Sequence, residues 1–253
     1  MSPSAIVRSQ ARETLKGNYV AAVSAFVILL LPVFINIGLN YVIDAFLEQG
    51  ISDKTLLGVL EIVILTPSTI IVGVLLSPLF NGYVRMFYEG AFTKRLRITE
   101  MFCYFESGRY QKTLLLNLSF LVRMMLPAIL CFLPVFLYYF FSISFLDGFV
   151  GSVLFRDFAF ILNIMSSVLL ILYSVKYFLV FTLYSANDQT DGRELFQISK
   201  NIMHEQRQSA IQLIFSFTPW MLLCMLVLPA LYVVPYMTQS LCIGAKWMTM
   251  KGK

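Results

Sequence analysis

The chain has 253 residues, of which 58% are hydrophobic and 13% charged, with a mean hydropathy of +0.78. A soluble domain is about half apolar and about a quarter charged, so this composition excludes a water-soluble globule built on a single core. The net charge of +5 arises from 19 Lys and Arg against 14 Asp and Glu. The apolar residues come in long continuous runs, not in the alternating strands of about ten residues that a membrane β-barrel needs.

Residues Ala5 to Lys16 carry Arg8, Arg12, Glu13 and Lys16, too polar for the apolar region of a signal peptide, so no cleavable leader is expected. Ala5, Ile6, Ala11 and Leu15 predict a short interfacial helix ending at Gly17, a residue suited to a left-handed cap. The run Val20 to Val42 is long enough to cross a hydrocarbon core, which needs about 20 residues. An acidic loop with Asp44, Glu48 and Asp53 leads to a second run, Leu57 to Tyr88, expected to kink or break near Pro67 and Pro78.

A basic stretch follows, and within it Ile98, Met101, Phe102 and Phe105 predict a second amphipathic helix before Gly108. The third span is expected from Leu114 to Phe141 and the fourth from Phe158 to Ala186. The polar island from Asn187 to Glu194 then opens a third amphipathic helix. Asp191 and Glu194 have the spacing of a capping box, and Leu195, Ile198, Ser199 and Ile202 fall on one face. That face is expected to meet lipid or the bundle. A fifth run, Ala210 to Val227, and a sixth, Leu228 to Ala245, either cross fully or form a re-entrant hairpin.

The expected fold is all-α: a polytopic membrane helical bundle of six transmembrane helices, arranged as three hairpins, each preceded by a short amphipathic interfacial helix. The chain reads as a single integral-membrane domain, residues 1–253, with internal repeats at 5–92, 98–188 and 191–253. Fifteen of the 19 Lys and Arg fall on one side of this topology, at the termini and in the second and fourth connections. Lys54 and Arg156 fall on the other side, and Arg123 and Lys176 lie within spans. Positive charge marks the cytoplasmic side, so both termini are expected there.

Several stretches together resemble the bacterial integral-membrane family called domain of unknown function 975. They are Ala11-Arg12 with Leu15-Lys16-Gly17-Asn18-Tyr19, then Pro78, Gly82 and the Arg85 to Arg97 loop. Phe105 with Gly108-Arg109-Tyr110, Asp188, Ser199 with Met203, Ser216-Phe217 with Trp220, and Pro235-Tyr236 complete the match. Glu205 and Pro219 stand where the resemblance leads one to expect glycine, and Cys242 to Trp247 replaces an aromatic end. The resemblance implies a multi-pass protein of the bacterial cell membrane and no activity.

Candidate chemistry is sparse. The sequence has no HExxH, GxSxG or P-loop, and His204 is its one histidine. Cys103, Cys131, Cys224 and Cys242 read as small buried hydrophobes, and no metal or other cofactor is expected. Arg123 and Lys176 are the candidate binding residues. Each lies about ten residues, or about 15 Å, from the inner end of its span, at similar depth on neighbouring helices. A central Arg or Lys costs roughly 2.5–3.5 kcal/mol on insertion scales. The bland reading has both snorkelling to the headgroups. The functional reading has at least one facing inward, towards Asn117, Asn163, Ser174 or an anion.

Two classes of function are therefore carried forward. One is a non-enzymatic scaffold or accessory subunit of a membrane export or envelope system. The other is a transporter or a lipid- or anion-binding protein. The expected partners are the bilayer, another membrane protein or an anionic lipid, and not nucleic acid.

Overall fold

The computed structural model describes residues 3–50, 54–106, 108–145, 153–224 and 226–251. Within these the elements are α1 (Pro3–Leu15), α2 (Tyr19–Gly50), α3 (Lys54–Thr93), α4 (Arg109–Phe145), α5 (Val153–Ser174), α6 (Val180–Ala186), α7 (Gly192–Phe215), α8 (Thr218–Leu223) and α9 (Val227–Lys251). A 3-10 segment, Ile98–Phe105, lies between α3 and α4, and a 3-10 turn, Val175–Tyr177, between α5 and α6. The class is all-helical, as expected.

Four helical stretches among the described residues are long and apolar enough to cross a membrane: Tyr19–Ala45, Pro67–Thr93, Arg109–Tyr138 and Asp157–Ala186. These coincide with the first four expected runs. The helices carrying the first three are longer than a bilayer requires. The 40 residues of α3 extend about 60 Å at 1.5 Å per residue, roughly twice a hydrocarbon core. Pro67 and Pro78 sit inside this helix without ending it.

The excess length is used for packing at one end. Ala22, Ala25 and Phe26 of α2, Leu79 to Phe87 of α3, and Val7, Ala11 and Leu15 of α1 share one core. Met203, Ala210 and Leu213 of α7 and Tyr236 to Met248 of α9 complete it. We call this end the base. Beyond it α2 pairs with α3, and α4 with α5, as two hairpins whose apolar side chains are largely exposed, as a lipid solvent would allow. Val33, Phe34, Ile70, Leu126 and Phe160 are each more than half exposed.

Two turns fix how the chain enters this base. Gly17 has φ +92°, the left-handed cap expected from sequence, and Asn18 behind it donates to the Lys94 carbonyl at 3.1 Å. The second amphipathic segment is 3-10 where an α-helix is expected. With three residues per turn its inward row becomes Ile98, Met101 and Tyr104, so Phe102 and Phe105 turn outward. That row lies against α3 at Gly82, where a Cβ would run into the Met101 carbonyl.

The last third also departs from expectation. The fifth run is divided, with α7 ending at Phe215 and α8 beginning at Thr218. Pro219 cannot donate to the Phe215 carbonyl, and its ring would clash with that turn, so the helix stops. Asp191 occupies the N-cap of α7 with extended backbone, but its carboxylate makes no capping hydrogen bond. Leu195, Phe196, Ser199 and Met203 are buried, and Ile202 packs against the core, so the apolar face turns inward.

Gly82→Ala should be costly because the obstructing atoms are backbone and cannot rotate away. Overpacking of this kind costs about 1–3 kcal/mol. A lowered unfolding midpoint in detergent, beside an unlowered or slightly raised midpoint for Gly73→Ala, is the expected outcome, since a Cβ at Gly73 meets nothing within 4 Å and Ala suits a helix interior better than Gly.

Candidate functional site

Two polar arrangements sit at the base. The first is an ion cluster made from segments far apart in sequence. Arg85 reaches outward from α3, Arg109 opens α4, and Asp188 follows the end of α6. Asp188 Oδ2 lies 3.2 Å from Arg109 Nε and 3.7 Å from Arg85 Nη1. Glu100 Oε2 lies 3.5 Å from Arg85 Nε, and Glu106 Oε2 lies 3.2 Å from Arg109 Nη1. The Asp188 side chain is 16% exposed, so this pairing is much less screened than one in open water.

Aromatic groups back the cluster. The Arg85 guanidinium lies over the Tyr104 ring at 5.6 Å, and Tyr104 stacks on Tyr184 at 5.2 Å. The Tyr184 hydroxyl pairs with Thr113 Oγ1 at 2.8 Å, and Thr113 donates to the Arg109 carbonyl. Burial raises the Tyr104 phenol above its usual range, and burial likewise raises the Cys103 thiol to about 11. Both side chains are therefore neutral at pH 7. The cluster has no open position between its charges and acts as a clasp holding α3, the 3-10 segment, α4 and α6 together.

The second arrangement contains one of the two candidate residues. Helix α5 ends at Ser174, so Lys176 stands in the 3-10 turn, outside regular helix. Its ammonium lies 3.4 Å from the centre of the Tyr173 ring and 4.8 Å from that of Tyr177. The buried Ser199 hydroxyl donates to the Lys176 carbonyl at 3.0 Å, tying the turn to α7. Across from it α7 presents Lys200, His204 and Arg207 at i, i+4 and i+7, one face of the helix. These residues line a cleft of about 360 Å³ with Leu172 and Met203, and among the described residues no carboxylate lines it.

Arg123 goes elsewhere. Its guanidinium sits 4.0 Å from the centre of the Phe196 ring and donates to the Ser119 carbonyl at 3.3 Å. The polar partners expected for it are engaged otherwise: Asn117 donates to Ser77, Asn163 to the Ala159 carbonyl and Ser174 to the Ile171 carbonyl. Phe196 meets Tyr177 at 5.4 Å between the two cations, but Arg123 does not line the cleft, which joins Lys176 to three residues not singled out as site residues from sequence. The signal that could have found them is the basic i, i+4, i+7 row opposite the buried Ser199 and Met203.

Four of the residues that carry the family resemblance come together here. Gly82, Arg85, Arg109 and Asp188 all meet at the clasp and the 3-10 segment it holds. No curated protein and no solved structure matches the chain. A family model described as Protein of unknown function (DUF975) matches residues 1–243, which is nearly the whole length. The chain belongs to that family, and it is an all-helical membrane protein of it.

Proposed function

We propose that this is a non-enzymatic protein of the bacterial cell membrane that binds an anionic ligand at its cytoplasmic base. The observation that carries this reading is the cleft between the Lys176 turn and α7. Three cations and a histidine converge there without a carboxylate in the lining. Its volume falls at the lower end of small-ligand sites, roughly 300–1,000 Å³. The base faces the cytoplasm in this reading because it holds the basic termini and the two basic connections, and both termini lie on that side.

Four crossings, by α2 to α5, fit this reading better than six. Helix α9 runs beside the inner half of α3, with Cys242 near the Val84 carbonyl and Lys246 donating to that of Ala91 at 3.1 Å. Near its start, Tyr232 meets Tyr19, the first residue of α2, through hydroxyls 3.2 Å apart. The final three helices then close the base as a shallow hairpin. A carrier pathway through the bundle has less support, because Arg123 lines neither this cleft nor two further cavities at the base, one between Val7, Leu213 and Trp247 and one between Tyr83, Phe181 and Cys242. A scaffold role is compatible with the same fold and would leave the cleft empty of ligand.

Two experiments check this. A cysteine at Leu226 should be labelled from the far side of the membrane if α8 and α9 cross, and protected from that side if four helices cross. Dodecyl phosphate, which carries a phosphate and an apolar tail, should raise the unfolding midpoint of the protein in neutral detergent. At a concentration 100 times its Kd the stabilisation should reach about 2.7 kcal/mol. Lys200→Gln with Arg207→Gln should abolish that rise, and both residues are exposed, so the fold should survive. No rise in the wild type, or an equal rise in the variant, would sink the anion-binding reading.

A further inference from the structure

The cleft is open along one side to an apolar surface. Leu172 lines it and belongs to α5, where Ile161, Met165 and Leu169 precede it at intervals of four, four and three residues. Those three side chains are each more than half exposed, and with Leu172 they form one stripe about 16 Å long. The face of α5 carrying Ala159 and Ser166 is the buried one, so the stripe is on the side left uncovered. At the cleft end stands Tyr173, its ring against the Lys176 ammonium. Tyrosine at the end of an apolar helix marks the level of lipid headgroups.

We propose that the cleft seats the phosphate of an anionic phospholipid from the cytoplasmic leaflet, with an acyl chain lying along the α5 stripe. The proposal rests on the anion-binding reading above and names its ligand. Lys176 is held against Tyr173, so one cation is positioned before the ligand arrives. Lys200 and Arg207 approach from α7, and His204 between them offers a ring nitrogen to a phosphate oxygen. Arg207 can present two parallel N–H groups to such an oxygen pair, a geometry suited to phosphate. A free anion would gain these charges but not the stripe. A zwitterionic phospholipid would gain the stripe but would bring its own cation into a cleft that holds three.

The acids of the base strengthen the argument. Glu100, Glu106 and Asp188 pair with Arg85 and Arg109, and Glu13 pairs with Lys94. Neither these nor Asp191, Glu194 and Glu205 of the α7 segment are among the lining residues of the cleft, whose charge is therefore open to an outside partner. Each Lys or Arg beside an anionic lipid surface is worth roughly five-fold in affinity.

The test titrates the full-length protein in neutral detergent with dioleoyl phosphatidylglycerol, dioleoyl phosphatidylcholine and inorganic phosphate. Binding of phosphatidylglycerol at least about ten-fold tighter than phosphatidylcholine, and not displaced by millimolar phosphate, is expected. Lys200→Gln with Arg207→Gln should weaken it on the order of 25-fold, two cations at about five-fold each. The control pair Arg95→Gln with Lys112→Gln, exposed cations elsewhere on the base, should leave it unchanged. Displacement by phosphate would overturn the lipid while leaving the anion site standing. Equal binding of the two lipids would overturn the charged headgroup. An unchanged affinity in the cleft variant, or an equal loss in the control pair, would place the lipid elsewhere. Binding of none of the three to folded protein would remove both the lipid and the anion site.

Discussion

Asp188 is the constraint on which the base depends. It follows the end of α6, yet its carboxylate is shared by Arg85 from α3 and Arg109 from α4. Two guanidiniums brought this close repel unless an anion stands between them, and the partly buried setting makes that repulsion hard for solvent to screen. Satisfying them draws three distant segments to one point. It also fixes both ends of the 3-10 segment: Glu100 joins Arg85 near its start, and Glu106 joins Arg109 just past its end. The segment so held lies close against α3 at Gly82, where the missing Cβ leaves room for the Met101 carbonyl.

The same allocation of charge determines where the protein is left unsatisfied. Glu13, Glu100, Glu106 and Asp188 are committed to ion pairs, and Asp191, Glu194 and Glu205 of the α7 segment stand outside the lining of the cleft. Lys176 faces Lys200 and Arg207 across a cleft that no carboxylate lines among the described residues. The 3-10 turn after Ser174 matters to this arrangement. It takes Lys176 out of the α5 spiral and delivers it to α7, where Ser199 secures the backbone. Lys176 lies against the Tyr173 and Tyr177 rings and Arg123 against the Phe196 ring, contacts that offset part of the cost of a cation in an apolar setting.

Much of this was legible in the sequence, for identifiable reasons. Long apolar runs marked α2 to α5, and Gly17 announced a left-handed cap that only glycine adopts without strain. The family was legible from scattered motif residues, several of which meet at the clasp. Other features were not. Ile98, Met101, Phe102 and Phe105 satisfy a period of 3.6 while Ile98, Met101 and Tyr104 satisfy 3.0, so the segment reads as an α-helix although it coils as 3-10. No proline or glycine marks the break at Val175–Tyr177, so Lys176 reads as buried in a span. Asp191 carries the right residue type for a cap, but spacing cannot say whether its carboxylate turns towards the helix. The clasp itself joins residues 85, 109 and 188, a separation that no local pattern encodes.

The most direct test of this account is a double-mutant cycle on the clasp, with Asp188→Asn, Arg109→Gln and the pair measured by unfolding in neutral detergent. Each single change strands a charge that the other residue had answered, and hydrogen bonds to charged groups contribute about 1.5–3 kcal/mol. The account predicts a coupling energy of about 1 kcal/mol or more, with the double variant less destabilised than the sum of the singles. Additivity within about 0.5 kcal/mol would show the two residues to be energetically independent and would contradict the clasp as the element that organises the base.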